Sequence, residues 1–294
     1  MLHDDSARNR LIGIGIISVT FLCFSLLDGG AKWLVRTLPV VEVVWLRFLM
    51  QVLLGGALLA PRRGMALLRT RRPRLQLLRA VLLAVMTAMN FWALQYLQLA
   101  ETSSIMFSTP ILVALLAAPM LGEKLDRARW LAILAGFAGV LIIIRPGMQG
   151  FHPALLICLM NALLYATFNL MTRQLAAYDS PATTQFLSAL GATLALTPFA
   201  VAAWQTPATA LEWGVAFLMG LFGGLGHYGL ALAHRYAPAS VLAPFLYQQI
   251  LYVMILGYLV FGDLPHPAVL AGAAVVIASG LYLLWQERRK SPGG

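Results

Sequence analysis

Charge is scarce in this chain. Of its 294 residues only 11% are Asp, Glu, Lys or Arg, against 60% hydrophobic side chains and a mean hydropathy of +0.80. An ordinary soluble domain carries about 25% charged residues, so this chain cannot clothe a water-facing core of its size. Cysteine is scarcer still. Cys23 and Cys158 each sit inside an apolar run, which argues against a disulfide framework or a cysteine metal site and leaves two packing residues. No G-x-x-x-x-G-K-[ST] loop occurs, so the chain lacks the phosphate cradle needed to hydrolyse ATP, and no ATPase subunit is implied. Neither H-E-x-x-H nor G-x-S-x-G occurs, acidic pairs suited to a metal diphosphate are missing, and no span is Arg-rich in the manner of a voltage sensor. The expectation is therefore a non-enzyme without cofactor or metal. An intramembrane enzyme acting on lipid is the alternative of a different class.

What the chain has in abundance is long apolar runs. Crossing about 30 Å of hydrocarbon takes about 20 helical residues. Ten runs qualify, at 10–35, 40–60, 75–98, 102–121, 129–145, 153–174, 180–202, 211–234, 239–261 and 266–286. Their connections are short and marked by Pro39, Pro61-Arg62-Arg63-Gly64, Arg145-Pro146-Gly147 and Gly262-Asp263-Leu264-Pro265. The runs are continuously apolar rather than alternating, which selects helices over a β-barrel. Arg8 and Arg10 before Leu11–Leu27 resemble the start of a signal peptide, but the run is long and ends in Asp28-Gly29-Gly30, so it is read as the first span.

The net charge of +10 would raise nucleic acid as a partner in a soluble protein, but here the Arg cluster lies between two spans and no arm is free to reach a duplex. Threading ten spans explains the surplus instead. One side collects Arg8, Arg10, the arginines from Arg62 to Arg79, Lys124, Arg127, Arg129, Arg173, Arg235, Arg288, Arg289 and Lys290. The other side receives Lys32, Arg36 and Arg145, while Arg47 falls within a span. This asymmetry predicts both termini in the cytoplasm of a bacterial inner-membrane protein.

The chain also repeats itself. Thr20, Phe24, Asp28 and Lys32 in the first span have counterparts Asn161, Tyr165, Asn169 and Arg173 in the sixth. Asn90-Phe91 stands ten residues before Ala100 as His227-Tyr228 stands ten before Ala237, and Met120-Leu121-Gly122-Glu123 matches Val260-Phe261-Gly262-Asp263. A unit of five spans used twice, at 10–147 and 150–287, places its copies in opposite orientations because five is odd. Such inverted repeats are an architecture of secondary transporters, with substrate held near the midplane between the halves. The predicted fold is all-α and integral to the membrane, one domain over 1–294 with ten helices around a central cavity.

Polar residues within spans are the candidate cavity lining, because burying them in lipid is costly. Residues four apart share a helix face, so Thr20, Phe24 and Asp28 form one stripe and Asn161, Tyr165 and Asn169 its counterpart. Pro244, Gln248 and Tyr252 repeat the spacing in the ninth span, and Ser104 and Ser108 in the fourth. Asn90, His227 and Tyr228 complete the set. Amide, hydroxyl and aromatic groups together suit a small zwitterion or amphipathic metabolite better than a bare ion. Asp28 and Lys32 are expected to pair with each other, with a substrate or proton site as the alternative. Arg47, about 10 Å along its span, reads either as a structural clamp or as a contact for a substrate anion. His227 reads as a neutral packing residue with titration as its alternative, and Pro110 and Pro244 predict kinks. Coupling stays open between facilitated diffusion and proton exchange through Asp28 or His227. The assembly stays open between monomer and homodimer.

Taken together, ten spans, the five-span repeat, the cationic second loop and the Gly-acidic ends of the fourth and ninth spans resemble the drug/metabolite transporter superfamily, EamA type. Trp45-Leu46-Arg47-Phe48, Ala100-Glu101-Thr102-Ser103-Ser104 and Gly136-Phe137-Ala138-Gly139-Val140 carry the same resemblance, which spans essentially the whole chain. Within that family the chain is most similar to bacterial aromatic amino-acid exporters. The resemblance implies export of amino acids or other small metabolites across the inner membrane by alternating access. The chain departs from the pattern at Gln248-Gln249, where a proline often sits, so no kink or gate is carried over there.

Overall fold

The computed structural model describes residues 6–121, 127–145, 151–175, 177–237 and 239–290. Gly122-Glu123, Lys124 and Pro146-Gly147 lie outside these residues, as do the side chains of Arg62, Arg129, Arg173, Pro244 and Arg288–Lys290. The described chain is helical throughout: α1 (Ala7–Leu34), α2 (Val40–Arg63), α3 (Pro73–Leu94), α4 (Leu99–Met106), α5 (Thr109–Leu121) and α6 (Arg127–Ile144) make the first half. The second half comprises α7 (Ala154–Leu175), α8 (Pro181–Ala202), α9 (Ala210–Tyr236), the short α10 (Ala239–Leu242), α11 (Gln249–Leu256) and α12 (Pro267–Lys290). Six of these helices are long and apolar enough to cross a membrane alone, and four shorter apolar segments supply the remaining crossings. The result is a multi-pass membrane protein of ten spans in two inverted five-span repeats.

The helix ends follow local chemistry. Ser180 caps α8, accepting from the Thr183 amide at 3.2 Å, with Pro181 just inside. At α9 the Thr209 hydroxyl accepts from the Glu212 amide at 3.2 Å while the Glu212 carboxylate accepts from the Thr209 amide at 3.1 Å, a reciprocal box that satisfies two orphan donors. At α4 the Glu101 carboxylate likewise accepts from the Gln98 amide, at 2.9 Å.

The fourth and ninth spans are both interrupted. The fourth breaks at Phe107-Ser108, just before Pro110, because proline cannot donate to the helix ladder. The ninth runs as α10, a tight turn over Ala243–Gln248 that contains Pro244, α11, and a widened turn over Gly257–Phe261. The kinks expected at both prolines are present. The ninth span also changes geometry at Gln248-Gln249, where the resemblance carried none over. Discontinuous spans at corresponding places in two halves are the backbone signature of a midplane site.

Packing between spans rests on small residues, since lipid gives apolar side chains no drive to leave it. A side chain at Gly139 would meet the Gly272 carbonyl at 2.9 Å, and one at Gly272 would meet the Gly139 carbonyl at 2.6 Å. Those two glycines let α6 and α12 cross nearly backbone to backbone. Along α9, Gly220 sits against Met50 and Gln51 of α2, while Gly226 and Gly229 sit against Phe24 and Thr20 of α1.

Candidate functional site

The site grows out of the seam where α1 and α2 meet α9. Arg47 is buried on α2 with its guanidinium 4.2 Å from the Phe48 ring. Its Nε and Nη1 make no hydrogen bond. One turn along the same face, the Gln51 carbonyl oxygen is also buried and unpartnered. Opposite them stands Gly223, whose missing side chain lets Gln51 Oε1, Arg47 Nη2 and Leu27 pack closely against α9.

Next to this pair, on α1, Asp28 Oδ1 accepts from Asn90 Nδ2 of α3 at 3.2 Å. The Asp28 carboxylate and the Arg47 guanidinium attract one another electrostatically. Phe24 meets the His227 imidazole edge to face at 5.1 Å, and the charges of both Arg47 and Arg79 reach that imidazole. Thr20 lies one turn beyond Phe24, pressed on Gly229, with its hydroxyl unpartnered. Buried polar atoms normally find partners, so the unsatisfied ones gathered where the two halves meet make this seam the candidate site.

The second half contributes more. Tyr165 stacks on Phe168 at 6.0 Å. Arg79 of α3 lies over that Phe168 ring at 4.0 Å and donates from Nε to Thr172 at 2.9 Å and from Nη1 to Ser188. Gln248 Oε1 accepts from the Ser18 hydroxyl at 3.3 Å, while its amide nitrogen has no partner. Asn161 Oδ1 is likewise unpartnered, its Nδ2 resting 3.8 Å from Met106 Sδ.

The remaining sequence candidates differ in how their side chains are engaged. The Asn169 amide donates to the Tyr165 carbonyl at 2.9 Å and the Ser108 hydroxyl to the Ile105 carbonyl at 2.7 Å, so both are spent on their own helices. Tyr252 is half-buried one turn beyond Gln248. Tyr228 is 61% exposed, because the residue after His227 on a helix points about 100° away from it.

Lys32 corrects a sequence expectation outright. It does not pair with Asp28. Its Nζ lies 2.5 Å from Asp263 Oδ2 and donates to the Leu97 carbonyl at 3.0 Å. Phe261 receives Lys32 and Arg36 at 5.0 and 4.7 Å. Arg79, counted in the sequence with the loop arginines, is buried in α3 instead. Arg79 and Gln51 are the residues that sequence reasoning missed. Gln51's signal was its four-residue spacing from Arg47, and Arg79's was its place nearly two turns past Pro73.

Polar contacts join the two halves at both faces of the bundle. On the face that carries the chain ends, Asp179 accepts from Thr70, from the Arg71 amide at 3.1 Å and from Gln76 at 2.9 Å. Arg72 reaches the Tyr178 hydroxyl and Arg63 the Ser180 hydroxyl, each at 3.1 Å. On the opposite face, Lys32–Asp263 is joined by Thr37 to Glu212 at 3.0 Å and by the Gln205 amide to Glu42 at 2.9 Å.

Comparison with known proteins agrees with this architecture. The chain is 27% identical to an S-adenosylmethionine uptake transporter of Rickettsia bellii, over 97% of this chain and 98% of that one. It is 30% identical to a riboflavin transporter of Rhizobium johnstonii, over 92% and 89%. It is 28% identical to a pseudopaline exporter of Pseudomonas aeruginosa, over 92% and 95%. One solved crystal structure shares the fold with a TM-score of 0.66 at 18% identity, covering 97% of this chain and 99% of its own. The profile of the EamA-like transporter family matches twice, at residues 11–145 and again at 152–285. With ten spans, two repeats and a polar seam between them, the chain belongs to the EamA-like transporter family.

Proposed function

We propose that this transporter moves amino acids, aromatic ones among them, or related small metabolites out of the cytoplasm by alternating access. It would lie in the bacterial inner membrane with both termini inside. The observation that carries the reading is the set of buried, unpartnered polar atoms of Thr20, Arg47, Gln51, Asn161 and Gln248 between the two halves. A guest that hydrogen-bonds these atoms removes the cost of leaving them unsatisfied. The Phe24–His227 and Tyr165–Phe168 pairs offer aromatic surfaces beside them. Rocking of the repeats about this seam would expose it alternately to either side.

The test is flux. Proteoliposomes loaded with radiolabelled tryptophan, phenylalanine or threonine should release label faster than protein-free vesicles. Release at the protein-free rate for all three rejects the amino-acid reading. A second reading is then favoured by the flat Tyr165–Phe168 stack and by the similarity to riboflavin transporters. Under it, a flavin-like aromatic metabolite is the guest, and riboflavin-loaded vesicles test it by fluorescence.

A further inference from the structure

Arg47 is 4% exposed and surrounded by helices, yet among the described residues two of its guanidinium nitrogens find no hydrogen-bond partner. A buried charge without a partner is among the most costly arrangements in a protein. The compensating charge that the seam supplies is Asp28, which Asn90 holds at 3.2 Å. Gly223 of α9 packs directly against both Arg47 and Gln51, 3.2 Å from Gln51 Oε1 and 3.5 Å from Arg47 Nη2 when measured from where a Cβ would stand, so these unpartnered groups lie at the contact between the two halves. One turn along α1 from Asp28 and along α9 from Gly223, Phe24 and His227 meet edge to face.

Electroneutrality limits what can enter. A guest bearing only an anion would occupy Arg47 and leave Asp28 buried without its countercharge. A guest bearing only a cation would do the reverse. A zwitterion brings one charge of each sign, so both remain compensated while bonds within the seam are exchanged for bonds to the guest. Arg47 offers the forked donor geometry that a carboxylate accepts, and the adjacent Gln51 carbonyl oxygen accepts from an ammonium or hydroxyl.

We propose that Asp28 and Arg47 form a divided charge pair that selects zwitterionic guests, with Arg47 and Gln51 receiving the carboxylate end and Asp28 with Asn90 the ammonium end. This rests on the transport reading above and names the chemistry by which that site chooses its substrate. The aromatic edge of Phe24 and His227 then faces the guest's side chain.

The test measures binding rather than flux. Purified full-length protein in detergent is titrated with L-tryptophan, with tryptamine and with indole-3-propionate, which share one ring system and carry both charges, the cation alone and the anion alone. Tryptophan should raise the melting temperature, and each singly charged analogue should bind roughly 30-fold more weakly or worse, as expected when one member of a buried charge pair is left alone. Arg47→Gln and Asp28→Asn should each abolish the tryptophan shift, and Arg47→Lys should restore part of it. Should a neutralised variant fail to fold, the ligand series on the unaltered protein decides. Equal binding of tryptamine or indole-3-propionate overturns the proposal, as does an undiminished tryptophan shift in the folded double variant D28N/R47Q. If neither tryptophan nor threonine shifts the melting temperature, the zwitterion assignment is overturned. Zwitterion binding without flux in proteoliposomes would support the pair and count against the transport reading instead.

Discussion

Lys32 of the first half and Asp263 of the second lie 2.5 Å apart at the face opposite the chain ends. The contact is prepared by the backbone of the ninth span. Gly262 adopts a left-handed φ of 69°, the Asp263 amide donates to the Gly257 carbonyl at 3.0 Å, and the Gly262 amide donates to the Tyr258 carbonyl at 3.0 Å. This is a Schellman-type ending, which a residue with a side chain adopts only with strain. It turns the chain so that the Asp263 carboxylate meets Lys32 across the seam. Replacing Asp263 by Asn should lower stability by about 1–3 kcal/mol, less than for a fully buried pair because the Asp263 side chain is 22% exposed. A cysteine at Asn90 should react faster with an impermeant thiol reagent in that background. The exchanged pair, Lys32→Asp with Asp263→Lys, should slow the reaction again. Unchanged labelling in D263N would remove Lys32–Asp263 as a closure of this face.

The α6–α12 crossing depends on Gly139 and Gly272. Alanine at Gly272 would meet a backbone carbonyl at 2.6 Å, and backbone yields less readily than a side-chain tip. The expected cost is about 1–3 kcal/mol, read as a lower melting temperature in detergent. Alanine at Gly214, with nothing within 4 Å, should leave the melting temperature unchanged or raise it through better helix propensity.

Asp179 offers a pH test outside the membrane spans. Burial acts to raise its carboxyl, but the hydrogen bonds from Thr70, Gln76 and the Arg71 amide, with the Arg71 charge, outweigh burial and hold it below the usual carboxylate range. A carboxyl depressed by folding contributes stability that is fully present above the unfolded-state value of about 3.9 and is lost as pH falls through the lower folded value. Asp179→Asn should therefore melt a few degrees below the parent at neutral pH. The gap should close as pH falls below about 4. A gap that stays constant with pH would show that the introduced amide disturbs packing rather than charge.

Accessibility of the seam is checked with cysteines at Tyr165 and Gln248. Gln248 has an unpartnered amide nitrogen and Tyr165 a half-buried ring. Both cysteines should be labelled by a soluble thiol reagent and protected by a transported solute, whereas a cysteine at the outward-facing Tyr228 should show no protection. Absence of labelling at both Tyr165 and Gln248 would place the path elsewhere.

Much of this architecture was legible in the chain because membrane burial is one-dimensional. A span must be long and apolar whatever its neighbours do, so the ten runs, the twofold repeat and the kinks at Pro110 and Pro244 could be read residue by residue. Arg47 and the Thr20–Phe24–Asp28 stripe could be read because charge and amide groups within apolar runs stand out. Lys32 could not be paired correctly. Its nearest acidic residue in sequence is Asp28, but its partner lies 231 positions away, on a turn whose direction depends on Gly262. Arg79 could not be separated from the loop arginines around it, because only the packing of α3 against α7 and α8 draws it inside.

Residue order alone set the number of crossings, their inverted duplication and the kinds of polar group carried within them. Which of those groups share the seam was settled in three dimensions: Asp28 with Asn90, Arg47 beside Gly223, Phe24 on His227, and Tyr228 turned away. The reason is physical. Hydropathy is summed along one helix, whereas a binding seam is set by the rotation and closeness of several helices, fixed here by where glycine lets two backbones meet.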